Sequence, residues 1–217
     1  MHRNPCSTKY RHTKYRSDTT EHTGAKKESF EVHTAELVAA TTIGLCMTID
    51  FNPNKNSYSI SYYGAHLATF WVLAVGFFIT SYFLLRASGG FEKTYYLQPL
   101  ALTLKVVGVG LVLLLLTPYT FGTFFDWTHS IIGTVVFSFQ TISTVIYWSW
   151  LGHNWRLGAD LVILLIGGLL AALSMPNNML HLMLEGEIIF QIGFALAINH
   201  VVSWLSPSKT INPEQTN

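Results

Sequence analysis

Six stretches of this 217-residue chain read as helices that cross a lipid bilayer. A hydrocarbon core about 30 Å thick takes roughly 20 helical residues, and lipid obliges every backbone N–H and C=O to bond within the protein. The stretches are Ala35–Ile49, His66–Leu85, Leu97–Thr117, Trp127–Trp150, Leu157–Met175 and Glu187–Trp204. The first is short and Thr-rich. Charged residues make up only 12% of the chain, against about 25% in a soluble domain. They crowd into residues 1–31. The expected fold is therefore all-α, a polytopic six-helix transmembrane bundle over residues 32–205. It is flanked by a polar, basic and disordered tail (1–31) and a short C-terminal tail (206–217).

The connections carry turn residues: "NPNKNSYS", "RASGGFEK", "TPYTFGTFFD", "LGHNW" and "PNNMLHLMLEGE". Pro, Gly and Asn-Asn are where helices stop and reverse. Trp71, Trp127, Trp148, Trp150, Trp155 and Trp204 fall near span ends, as expected of an interfacial aromatic belt. One side of the membrane receives the basic tail, Arg86, Lys93, Arg156 and Lys209, and the other only Lys55. The excess of basic residues places both termini in the cytoplasm, and six spans satisfy it better than five. Net charge is +1, so charge balance supplies no case for a nucleic-acid partner. The tail serves orientation or touches anionic lipid. Cys6 and Cys46 should not pair, since one is aqueous and the other in lipid.

Titratable groups gather on the non-cytoplasmic side. Asp50 ends the first span and His66 begins the second. Asp126 and His129 begin the fourth, and His181, Glu185 and Glu187 the sixth. Ionisable residues in a membrane are expensive and usually face the bundle interior or a watery cavity. Asp126 and His129 are three apart, and His181 and Glu185 four apart, so each pair shares a helical face. The plainer reading makes Asp126, Glu185 and Glu187 helix starts that complement the dipole. The chemical reading makes the set a polar outer cavity for a lipid head group or small ligand. A zinc site of His129, His181 and Asp126 would instead activate a water for hydrolysis or lipid remodelling. Two further readings are haem, held by His129 with His181 or His153 with His200, and transport. An apolar midplane speaks against transport. Its polar residues Gln140, Ser143 and Thr144 suit helix–helix hydrogen bonds. Deeper on the cytoplasmic side, Lys105 either snorkels or pairs with Asp160, which already has Arg156 one turn away. Gly108, Gly110, Gly167, Gly168, Gly186 and Gly193 are expected to admit close helix packing.

Four motifs in order carry a resemblance: "SISYYGA" (59–65), "GVGLVLLLLTP" (108–118), "HSIIGTVVF" (129–137) and "HLMLEGEIIF" (181–190). Over residues 35–204 the chain resembles a bacterial family of six-span proteins. That family is distantly similar to the eukaryotic DRAM and Frag membrane proteins, which include a GPI-anchor lipid-remodelling factor. The resemblance implies that Ser59 or Ser61, Gly64, His129, and Glu185 or Glu187 occupy the family's polar positions. The long basic tail departs from the family's pattern. Alkaline ceramidases and progestin-type receptors place Ser, Asp and three His around zinc. Asp126, His129, His66 and His181 offer an analogy to them, although "HLMLE" stands where an HxxxH would be.

Overall fold

A computed structural model of the chain describes the backbone of residues 7–50, 59–93, 97–174 and 180–205, with side chains from Lys26 to Trp204 within those ranges. Lys55, Cys6 and Lys209, on which parts of the charge and cysteine readings rest, lie outside them. Every regular element among the described residues is a helix: α1 (Ser7–Ile49), α2 (Ser61–Ala65), α3 (Leu67–Phe91), α4 (Gln98–Leu116), α5 (Thr123–Trp150), α6 (Trp155–Ser174) and α7 (Met183–Leu205), with a 3₁₀ turn at Tyr119–Phe121. Six segments are long and apolar enough to span a membrane: Lys26–Ile49, Leu67–Phe91, Gln98–Phe121, Thr123–Trp150, Trp155–Ser174 and Met183–Trp204. The protein is a multi-pass membrane protein. Its first span starts well before Ala35, because α1 continues back through the polar stretch without a break.

Local chemistry sets the helix ends. Pro99 opens α4, where its missing N–H has no bond to lose. Pro118 cannot extend α4, which ends at Leu116. Gly122, with φ of 117°, turns the chain into α5 in a conformation that few other residues adopt. Gly152 and His153 close α5 with left-handed φ values of 66° and 60°. The amide of His153 reaches back to the Trp148 carbonyl at 3.0 Å, a Schellman-type closure.

The helices form a ring. α1 packs on α3, α3 on α4 and α4 on α5, and α6 and α7 pair closely and contact both α5 and α1. An even number of spans puts the start of the first span and the end of the last at one end of the bundle, the terminal end. The last turns of α1, α4 and α6 lie at the other, the distal end. One apolar cluster, including Val32, Leu100, Leu157 and Ile198, fills the terminal half. A second, built from Cys46, Tyr62, Tyr63, Leu73, Phe77 and Leu184, fills the distal half.

Small residues fix the spacing. A Cβ on Gly167 would collide with the backbone of Phe190, and one on Gly186 with the backbone of Ala171. Gly193 faces Leu164 in the same way. α6 and α7 thus touch backbone to backbone along a glycine seam. Elsewhere side-chain hydrogen bonds tie helices together. Ser81 donates to the Gly108 carbonyl at 2.7 Å, Gln140 to Gln191 at 3.2 Å, and Thr103 to Ser143 at 3.1 Å. In lipid each contributes about 0.6 kcal/mol on average. Gln140, Ser143 and Thr144 are buried. Gln140 and Ser143 make the helix–helix bonds that their composition suggested, whereas the Thr144 hydroxyl donates to the Gln140 carbonyl of its own helix at 2.9 Å.

Candidate functional site at the distal end

The distal end is organised by the segment that carries the motif "SISYYGA" (59–65). Residues 61–65 form the one-turn helix α2, lodged between α1 and α3 in the chain. Ser59 shapes its start by accepting the Ser61 amide on its hydroxyl at 3.0 Å and the Tyr62 amide on its carbonyl at 2.9 Å. At its end His66 is extended, with φ −96° and ψ 124°, which breaks the helix. The Thr69 hydroxyl closes the corner by donating to the Tyr63 carbonyl at 2.7 Å.

Three consecutive residues of this segment each meet a polar group from a different part of the chain. The Ile60 amide donates to the buried Glu187 carboxylate of α7 at 2.6 Å. The Ser61 hydroxyl lies 2.7 Å from Nε2 of His129, on α5. The Tyr62 hydroxyl donates to Asp50, at the end of α1, at 3.2 Å and lies 2.8 Å from Nε2 of His66. Tyr62 and His66 also stack, with ring centroids 4.0 Å apart.

His129 is held at both nitrogens. Its Nδ1 is 2.8 Å from the Thr117 carbonyl, which can only accept, so Nδ1 carries the proton. Neutral imidazole then turns the lone pair of Nε2 toward the Ser61 hydroxyl. The Thr117 carbonyl is available because α4 has already stopped before Pro118.

Of the residues singled out from the sequence, Asp50, His66, His129 and Glu187 converge on α2. Asp126, His181 and Glu185 take other places. α5 has 28 residues, about 42 Å of helix at 1.5 Å each, longer than a 30 Å hydrocarbon core is thick. Asp126 sits in its first turn, exposed to solvent, where a carboxylate is cheap and favours the helix N-terminus. It is not the cap, because α5 begins at Thr123. His181 precedes α7, which begins at Met183, so it does not share a helical face with Glu185. It is exposed in the α6–α7 connection with a left-handed φ of 49°. Glu185 occupies the first turn of α7 and is half-buried.

The zinc triad of His129, His181 and Asp126 is not assembled. Among the described residues no three of His, Cys, Asp and Glu gather to hold a metal ion. His129 in particular spends both nitrogens on hydrogen bonds. The haem pairings fail on the same ground for His129, and His200 is bonded to Asp160. His153 packs edge-on against Trp148.

At the terminal end the polar groups pair with each other. Arg86 meets the buried Glu31 at 2.9 Å, Lys105 pairs with Glu92, and His200 pairs with the buried Asp160. Asn199 donates to Glu36 at 2.7 Å. The alternative of a Lys105–Asp160 pair, and the Arg156–Asp160 pair, are corrected by this. Lys105 turns to the α3 end, and Asp160 faces α7 inside the ring instead of Arg156 along its own helix. The Arg156 guanidinium lies over the Trp155 ring, 5.7 Å from its centroid.

Ser61, Tyr62, the Ile60 amide and the Thr117 carbonyl are central to the site. Of these, only Ser61 appeared in the sequence reading, as an alternative to Ser59. The polar, aromatic run "SISYYGA" ahead of a span was the available signal. No protein-family model matches the chain, and no curated protein or solved structure matches it either.

Proposed function

We propose that the distal end binds the head group of a membrane lipid, or a small ligand of similar chemistry, in a cell membrane with both chain termini cytoplasmic. The observation that carries this is the convergence on Ile60, Ser61 and Tyr62 of polar groups from α1, α5 and α7. A single capped helix end needs none of this, whereas a receptor for a polar group at the membrane surface needs donors and acceptors held at one depth. The composition of the cluster narrows the ligand. It offers carboxylates, hydroxyls, imidazoles and aromatic rings, which suit hydroxyl or ammonium groups. The resemblance to lipid-remodelling membrane proteins is in keeping with this reading, since it implies Ser59 or Ser61, His129, and Glu185 or Glu187 among the polar positions.

Native mass spectrometry of protein released gently from membranes tests it. Lipids with ammonium or hydroxylated head groups should be retained above their membrane abundance, and the double variant Asp50→Asn, His66→Gln should lose that enrichment. Retention in proportion to the bulk membrane, or enrichment indifferent to the double variant, would remove the reading.

A further inference from the structure

The geometry points to Ser61 and His129 as a nucleophile and its general base, for acyl transfer from an ester-linked lipid. This rests on the lipid reading above and gives it a reaction. A serine hydroxyl is a weak nucleophile until a neighbouring base takes its proton and a third group holds that base in the right tautomer. All three parts are present. The Ser61 hydroxyl is 2.7 Å from Nε2 of His129, and Nδ1 is fixed at 2.8 Å on the Thr117 carbonyl. They come from α2, from α5 and from the chain just after α4, three segments with no need to meet for the sake of any one helix end.

The neighbouring contacts support the pair. Ser59, which could have competed for the imidazole, has its oxygen engaged by the Ser61 amide. The buried Glu187 carboxylate grips the amide of the residue before Ser61. This makes Glu187 a positioning residue, with no contact to the reacting atoms. Position along the chain fits as well: His129 lies in the second turn of α5, near the distal end of its span, and the ester bonds of membrane lipids lie toward the ends of a span, below the head groups.

The step balances without a metal or redox partner. Ser61 Oγ forms a bond to the ester carbonyl carbon while its proton passes to His129 Nε2. The carbon–oxygen bond to the lipid alcohol breaks, and the alcohol oxygen takes that proton from His129. The products are acyl-Ser61 and the free alcohol of the lipid. Water, or a hydroxyl on a second head group, attacks the acyl carbon by the reverse route and restores the Ser61–His129 pair.

The test uses the full chain in detergent micelles with an alkyl fluorophosphonate, followed by intact mass and peptide mapping. One adduct per chain should form, on Ser61, with Ser59 and the exposed Ser130 unmodified as internal controls. Ser61→Ala should abolish it. His129→Gln should slow it by about 10²-fold or more, the usual worth of a positioned base. The wild-type mapping needs no variant, so a folding defect in a mutant cannot hide the answer. Folded wild-type protein with no adduct at Ser61, or labelling unchanged by His129→Gln, overturns the pair. Head-group-selective lipid retained by a protein that forms no adduct overturns the nucleophile and leaves the lipid reading standing.

Discussion

The two ends of the bundle handle polar groups differently. At the terminal end opposite charges face each other: Arg86 with Glu31, Lys105 with Glu92, His200 with Asp160. At the distal end acids meet amides and hydroxyls, and imidazoles meet hydroxyls and a carbonyl. The terminal end thus joins unlike charges side chain to side chain, whereas the distal end draws groups from α1, α5 and α7 onto one short segment of chain.

Substitutions can break or sharpen this contrast. The largest effect is expected from Glu187→Ala, which leaves the Ile60 amide buried without a partner. Thermal unfolding in detergent should register a loss of about 1–3 kcal/mol, together with loss of any retained lipid. Glu187→Gln, which keeps an acceptor oxygen, should restore most of the stability. Next comes Arg86→Ala, which strands the Glu31 carboxylate, 6% exposed at its side chain. Because Arg86 is itself half-exposed, the loss should be about 1–2 kcal/mol, with lipid retention untouched. His129→Gln should cost about 1 kcal/mol or less, since the Gln amide also carries a donor and an acceptor, yet should slow Ser61 labelling by about 10²-fold or more. Lys105→Met, at an exposed pair, should fall within about 0.5 kcal/mol of wild type in the same melt. If distal and terminal substitutions altered lipid retention alike, the contrast would collapse.

The spans and their number were legible because twenty apolar residues in a row have few alternatives in water or lipid. The depth of the acids and histidines followed from span position alone. What could not be read was their azimuth. Asp126 and His129 share a face of α5, but whether either reaches a partner depends on what packs beside it. Asp126 is exposed at the start of α5, while His129, one turn on, meets Ser61 of α2. The choice between Glu185 and Glu187 was similar. They are two residues apart and so point about 200° apart around α7, and only packing against α6 decides which one turns inward. Thr117 was invisible for another reason, since a backbone carbonyl has no side-chain signature. Only Pro118 hinted that one would be freed there.

That packing against α6 carries a mechanical consequence. Gly167, Gly186 and Gly193 let two backbones mesh with no side chain between them, in a register where a Cβ at any of the three would strike the facing backbone. A slip of a single residue would swing Glu187 about 100° about the helix axis and off the Ile60 amide. The seam works as a vernier, setting the bearing of one carboxylate near the membrane surface by contacts buried turns away from it.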